Sequence, residues 1–454
     1  MSTVLILIAS TAVLVVLWAW TLYHLIVLAM GWPHANRALA SPFRPESLRN
    51  PVDLPTVTII VAARDEENVI GATLESIDVL RYPKELLQVL VAEDGSSDRT
   101  EEICRAFAQN RPYMSILHRD ASSGKASALN RAFPEARGDI MLFLDADTKF
   151  EDDLLLKAAK FFHDHPEVDV AQTVIETYAD GPNLIARLDR YEAAAWYRGI
   201  VAGKDRLGLF VPLCGTGMFI RRPALEKVGP WDERSLAEDL EMAVRLTGSG
   251  SKASMLPAQV WRQPPYSARD FVNQRRRWWG GAMQALPQAM RLWRKRGLGW
   301  KHKLDMTIHL LSPFFLMGGT IYLLLATLTM SSDASQPILL LATTWGVISS
   351  QLILVGVIVA HSISRRSWSD LALVPGIYLY WILQLYASFS ILIALSFRRA
   401  PKWTVTHKRP TTNGDPSSPY ASTAMRPPNR AEGANGHAAH AHTRPEPDPP
   451  RTGR

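Results

Sequence analysis

Four long apolar runs limit what this chain can fold into more than any other feature. They lie at residues 3–30, about 307–330, 337–361 and 371–396. Each is long enough to cross the ~30 Å hydrocarbon layer of a bilayer as a helix. The 47% hydrophobic content is therefore concentrated rather than spread. Ala38-Leu39-Ala40 looks like a signal cleavage site, but no Lys or Arg precedes the first run. That run also exceeds the roughly 7–15 residues of a signal core, so a retained anchor at 1–30 is expected.

Basic residues supply an orientation. Arg37, Arg44 and Arg49 follow the first run, and Arg291, Arg294, Lys295, Arg296, Lys301 and Lys303 precede the second. Arg365 and Arg366 separate the third from the fourth, whereas Ser331–Gln336 carries no base. The positive-inside rule then puts the region after the anchor in the cytoplasm, with the protein a multi-pass component of the cell membrane. Arg398, Arg399 and Lys402 directly follow the last run and disagree with strict alternation; the three consistent loops outweigh them. Because the bases cluster beside the spans, where they meet anionic head groups, the net charge of +7 requires no nucleic acid. The two cysteines, Cys104 and Cys214, spell neither a disulfide framework nor a metal site.

After a linker at 31–56, Pro-bounded over 51–56, the pattern becomes that of a soluble α/β domain running to about residue 270. Strands are expected at 57–62, 87–92, 114–118 and 139–144, with helices at 67–80, 97–109 and 125–133 between them. Such alternation means a mostly parallel sheet whose ligands lie at the carboxyl ends of the strands. Amphipathic interface helices are expected over 271–304, with three spans over 305–398. Residues 399–454 are rich in Pro, Ala, Gly and His without apolar period, and are expected to be disordered, leaving His437, His440 and His442 solvated.

Chemistry gathers at the strand ends. Met141-Leu-Phe-Leu-Asp-Ala-Asp-Thr148 runs from buried strand into two acids, and alternation points Asp145 and Asp147 the same way. Two hard oxygen ligands suit Mg²⁺ or Mn²⁺, which can neutralise a diphosphate leaving group. Ala62-Ala-Arg-Asp-Glu-Glu67 and Glu93-Asp-Gly-Ser96 end two other strands. Singly, such acids often only cap helices; together they would repel one another unless a cation is shared. Lys125 stands at a helix start, a favourable place for an anion, although the P-loop spacing is missing. Cys214-Gly-Thr-Gly217 lets backbone approach a ligand closely, and Asp239 of Ala237-Glu-Asp239 is either a helix cap or a general base. Gln274-Arg-Arg-Arg-Trp278-Trp279 offers bases around a helix and flat indole faces that suit sugar rings, or an interfacial helix at lipid head groups.

In this order the pieces resemble a membrane-bound family 2 inverting glycosyltransferase of the GT-A fold. The Gln274-x-x-Arg277-Trp278 element is similar to that of processive β-glycan synthases of the chitooligosaccharide, cellulose and hyaluronan type. The resemblance implies nucleotide-sugar binding by Asp65, Glu66, Asp94, Lys125, Asp145 and Arg277, and a metal on Asp145 and Asp147. It implies acceptor binding by Gly215, Thr216, Glu238, Gln274 and Trp278, and makes Asp239 the catalytic base. Ala237 is a departure, standing where many members have Thr.

The expected partners are a UDP-sugar donor, a growing glycan or lipid acceptor, and the bilayer. A processive polysaccharide synthase is the leading expectation. A single-addition enzyme acting on a diacylglycerol- or ceramide-type lipid is the alternative, followed by a non-catalytic nucleotide-sugar-binding subunit. Tyr378, Trp381, Gln384, Tyr386 and Ser388 of the last run suit a sugar path, but four spans are few for a pore and call for an oligomer or export partner if a polymer is exported.

Overall fold

A long helix, α1 (Ser2–Ala40), leads into strands that begin where apolar periodicity puts them. The computed structural model describes residues 2–41, 54–178, 183–329, 339–345, 374–398 and 408–410. Strands β1 (Val57–Ala63), β2 (Leu87–Glu93), β3 (Met114–Leu117) and β4 (Ile140–Asp145) alternate with α2 (Ile70–Asp78), α3 (Thr100–Ala108) and α4 (Lys125–Ala132). These strands read as near-continuous apolar runs because both faces are covered. Ile59, Val61, Val89, Leu142 and Leu144 enter one core, while Ile60, Leu90, Met141 and Phe143 enter the other.

The second half completes the same sheet. It comprises β5 (Lys149–Phe150), α5 (Leu154–Asp164), β6 (Val170–Thr177), α6 (Leu184–Ala194), a π-helical segment Ala195–Val201, α7 (Ala202–Arg206), β7 (Met218–Arg221), α8 (Arg222–Val228), α9 (Glu238–Ser249) and β8 (Ala253–Arg262). The order is β3-β2-β1-β4-β7-β6-β8-β5. β1 pairs in parallel with β2 and β4, whereas β7 enters antiparallel between β4 and β6. Ala62 lies opposite Asp145, and Ala63 opposite Glu93, so three carboxyl ends finish level around one crevice.

Next come α10 (Ala268–Leu292), α11 (Trp300–Leu310), α12 (Ser312–Thr329) and α13 (Val374–Ser396). Ser267 caps α10 by accepting from the Asp270 amide at 3.0 Å. Among the described residues, two helices are long and apolar enough to cross a membrane, Ile8–Ala40 and Tyr378–Ser396. They become three if Trp300–Leu310 and Ser312–Leu325, bent by 55°, form one span.

Four expectations change. The linker begins later than 31, since α1 continues to Ala40 and buries Ala35 against the domain. The interface helix expected within 271–304 starts earlier, at Ala268, and already carries Gln274–Trp278. The span expected at 307–330 begins inside the bent pair. Residues 408–410 of the tail, expected to be solvated, return to the domain, where Gln263 donates to the Arg409 carbonyl and accepts from its amide at 2.7 and 2.9 Å. Apart from 339–345, the run at 337–361 lies outside the described residues, as do Arg44, Arg49, Ser331–Gln336, Arg365, Arg366, Arg399, Lys402 and the tail histidines.

The anchor is joined to the domain by close backbone contact and a buried ion pair. A Cβ on Gly31 would fall 1.9 Å from the Gly199 carbonyl, and one on Gly203 would fall 1.9 Å from that of Val27. Lys204, 1% exposed, contacts both oxygens of Asp305, 2% exposed, at 2.7 and 2.8 Å. The Phe210 amide donates to Asp305 at 2.9 Å, and the Tyr23 hydroxyl of α1 donates to it as well. Removing one partner strands a buried charge, which costs about 3–5 kcal/mol. Asp305→Ala should therefore lower the unfolding midpoint in detergent sharply, and the apolar pair Lys204→Met with Asp305→Leu should lower it less. Equal losses would show that the joint does not depend on this charge.

Candidate active site

Asp145 ends β4 and Asp147 follows one residue later, in a turn held from two sides. The Thr73 hydroxyl of α2 donates to the Ala146 carbonyl at 2.6 Å, and the Asp145 amide donates to the Thr216 hydroxyl at 3.1 Å. Both carboxylates line a cavity of about 300 Å³ together with Glu66, Asp94, Lys125, Gly215, Glu238, Asp239, Gln274, Arg277 and Trp278.

Lys125 stands at the centre. Its ammonium lies 2.7 Å from Asp145 Oδ1, 3.1 Å from Glu238 Oε1 and 3.1 Å from the Gly215 carbonyl. Burial disfavours that charge, yet Asp145, Glu238 and Asp239 outweigh it and hold the ammonium above its ordinary pKa. The loop delivering Lys125 is pinned by Asp94, which accepts from the Ser122 hydroxyl at 2.7 Å and the Gly124 amide at 2.8 Å.

Asp239 lies in the first turn of α9. Burial and the neighbouring Glu238 push its carboxyl up to about 7, against the opposing pull of Lys125. Glu238 goes the other way: despite burial, Lys125 and Arg277 hold it below the usual carboxylate range. The two adjacent acids thus differ in charge near neutral pH, Glu238 held ionised and Asp239 titrating close to neutrality. Gly215, at φ 76°, makes room, since a Cβ there would fall 3.1 Å from Asp239 Oδ2.

On the far side of the cavity is α10. Gln274 is buried, and its Oε1 has no hydrogen-bond partner among the described residues; the same is true of Trp279 Nε1. Trp278 remains 37% exposed. The π-helical segment contributes Trp196 and Tyr197, and His309 and Ser312 flank the α11–α12 bend. Ala237 packs on α10 closely enough that a Cβ on Gly281 would fall 2.2 Å from its own. A larger residue at 237 would need α10 to move.

A family profile described as "Glycosyltransferase like family 2" matches residues 55–281, half of the chain. The chain belongs to this family. It is 29% identical to "Probable glycosyltransferase YdaM" of Bacillus subtilis over 62% of this chain and 68% of that one. It is 30% identical to "Beta-monoglucosyldiacylglycerol synthase" of Synechocystis over 58% and 56%. With "Poly-beta-1,6-N-acetyl-D-glucosamine synthase" of Staphylococcus epidermidis it shares 26% over 51% and 55%. The matched region thus spans from about half to two thirds of these relatives' lengths. Among solved structures, a mannosyltransferase from Pyrobaculum calidifontis in complex with GDP-Man and Mn²⁺ aligns with TM-score 0.52 at 20% identity, covering 85% of this chain and 98% of that one. The shared fold is the GT-A-like sheet expected from the motifs.

The donor set of this glycosyltransferase fits a hard divalent cation. Glu66 faces Asp145 and Asp147, and its Oε2 is buried with no hydrogen-bond partner among the described residues. Burial pushes Glu66 up to about 8; Lys408 opposes this, and Asp147, Asp145 and Asp98 add to it. Asp147 accepts from the Gln263 amide at 3.2 Å and from the Lys408 ammonium, whose charge holds it below the usual range despite burial. Lys408 therefore supplies positive charge where a divalent ion would. A second cluster, Glu93, Glu101 and His118, brings its ligand atoms within 4.8 Å of one another. There His118 Nδ1 already pairs with Glu93 at 2.6 Å.

Two expected site residues stand outside the cavity lining. The Asp65 carboxylate is turned to Ser97, accepting from its amide at 2.7 Å, and Thr216 is fully buried with its hydroxyl on the Asp145 amide and on Thr148. Here the Asp65 and Thr216 side chains hold the loops beside the cavity. Lys408, Arg262, Glu192, Trp196 and Tyr197 line the cavity without having been singled out. Asp189 and Glu192, spaced one helical turn apart beside apolar residues, were the available signal. Nothing in a single sequence marks Lys408.

A role for Asp239 as proton acceptor needs its ionised form and predicts that turnover falls as pH drops through about 7. Glu238→Gln removes a like charge beside Asp239, lowers its pKa and should move that acidic limb to lower pH in a kcat/KM profile. An unmoved limb would assign it to another group.

Proposed function

We propose that the protein moves a hexosyl group from a UDP-sugar to an acceptor hydroxyl in one in-line displacement, on the cytoplasmic side of the cell membrane, and that the product is a growing β-glycan. One observation carries the reading: a carboxyl poised near neutrality, Asp239, shares a cavity with the Glu66, Asp145 and Asp147 cluster and the Lys125 and Arg277 cations. Asp239 receives the acceptor's proton, and attack from the face opposite the leaving group inverts the anomeric carbon. Arg277 and Lys125 balance charge on the departing diphosphate. Asp145 and Asp147, with Glu66 beside them, would hold Mg²⁺ or Mn²⁺, which supplies further charge neutralisation when bound. Trp278, Trp279, Trp196 and Tyr197 offer indole and phenol faces suited to sugar rings, which supports a glycan acceptor.

A lipid acceptor is the second reading. It draws on the beta-monoglucosyldiacylglycerol synthase relative and on the reach of the cavity to His309 and Ser312, beside the helices apolar enough to enter a bilayer.

The deciding experiment measures nucleoside diphosphate release by the protein in lipid across a panel of UDP- and GDP-sugars, with products sized on a gel. Metal-dependent release that EDTA abolishes and that Asp239→Asn lowers by about 10²–10⁴-fold is the expected result. A ladder of products supports the glycan, whereas one labelled lipid supports the second reading. No release with any donor would sink both. Lys408→Ala should lower the Mn²⁺ concentration needed for half-maximal release, because the ammonium on Asp147 no longer competes. An unchanged metal requirement would show that Lys408 and the ion do not share the site.

A further inference from the structure

Trp278 shows part of its ring to the cavity, and what holds the other part is a buried network that the reaction does not itself require. The Arg275 guanidinium carbon lies 4.1 Å from the Trp278 ring centroid, within cation–π range, and Arg262 lies 5.7 Å from it. One terminal nitrogen of Arg275 donates to Asp189 Oδ1 at 3.1 Å, to the Tyr380 hydroxyl at 2.9 Å and to the Glu192 carboxylate. Tyr380 in turn donates to Glu192, and Gln384 donates to the other oxygen of Glu192 at 3.1 Å. Arg262 and Thr177 each reach Asp189 Oδ2 at 3.3 Å.

These residues come from four places in the chain: Thr177 and Arg262 from the sheet, Asp189 and Glu192 from α6, Arg275 from the helix that carries Trp278, and Tyr380 and Gln384 from the last span. Arg275 and Asp189 are almost wholly buried, so their charges have no water to fall back on and their geometry is fixed by each other. The planar guanidinium can both stack on an indole and fork to carboxylates, which an ammonium cannot do. Arg275 Nε, meanwhile, has no hydrogen-bond partner among the described residues.

We propose that Arg275 is a positioning residue for the acceptor: clamped by Asp189, Glu192 and Tyr380, it sets the plane of the Trp278 indole and so ties the last span to acceptor orientation. This rests on Trp278 facing the acceptor. Arg262 also acts electrostatically on Asp147, so the test leaves Arg262 in place and changes Glu192 and Tyr380, whose loss should act on the acceptor alone.

The test uses the full chain in lipid nanodiscs, with 5-fluorotryptophan incorporated and the Trp278 fluorine resonance assigned by its loss in Trp278→Phe. Tyr380→Phe and Glu192→Gln should each shift or broaden that resonance. With dioctanoylglycerol and chitotetraose as acceptor probes, both variants should raise the acceptor KM about tenfold and leave the donor KM unchanged. Arg275→Lys should fail to restore either readout. UDP binding by each variant, measured by calorimetry, confirms that the domain is folded. A Trp278 resonance that stays put in Tyr380→Phe and Glu192→Gln overturns the proposal. So does a rise in donor and acceptor KM together, or an unchanged acceptor KM where Trp278→Phe raises it. If Trp278→Phe itself leaves the acceptor KM unchanged, the platform reading falls with the acceptor role, while the resonance still reports whether the network holds the ring.

Discussion

The Lys125 ammonium is the interaction around which the rest of the cavity is arranged. Asp145, Glu238 and Asp239 would otherwise sit together in a buried space and repel one another; one cation between them makes the arrangement tenable. Its position is set by Asp94 gripping the loop before α4, by the level ends of β1, β2 and β4, and by a glycine at 215 whose lack of a side chain keeps Asp239 within reach. The difference between Glu238 and Asp239 follows from the same charge. The acid that contacts Lys125 stays ionised, and its neighbour, deprived of the closest contact, is left near neutrality.

Most of the first half of the fold was legible because parallel strands covered on both faces have no alternation to confuse: Val57–Ala63, Leu87–Glu93 and Ile140–Asp145 lie within a residue or so of where their apolar runs end. The antiparallel entry of β7 was not legible. Met218–Arg221 is four residues long, and nothing local tells a short buried strand which neighbours it will choose. Helix ends shifted for ordinary reasons. Glu67–Val69 became a turn before α2, and the chain from Gly31 to Ala40 stayed helical because its small residues let α1 press on the domain.

For the site, strand-end position gathered Glu66, Asp94, Asp145 and Asp147 at one crevice and the family resemblance added Lys125, Glu238, Asp239 and Arg277; all of them line one cavity. Position and resemblance could not tell which acids face inward. Asp65 and Thr216 have the chemistry of ligand-binding groups, but their side chains are spent on Ser97 and on the Asp145 amide. Partners distant in sequence were the least visible. Lys408 reaches Asp147 across 261 positions, and Tyr380 reaches Glu192 across 188. Such pairings depend on how the last helix docks, which no window of sequence contains.

The contact between α1 and the segment after the π-helical turn has a mechanical consequence. Gly199 and Gly203 stand one turn apart facing α1; the Gly199 and Val27 carbonyl oxygens occupy the space that a side chain on Gly31 or Gly203 would need, and the Leu28 side chain that of Gly199. Two rods meshed this tightly cannot slide by a residue or roll by a fraction of a turn without collision. With α1 in a bilayer, it would act as a fixed stilt rather than a tether and set the height of the cavity mouth relative to the lipid. A thicker or thinner membrane would be met by tilting the whole body, so anchor and domain would lean together with their spacing unchanged.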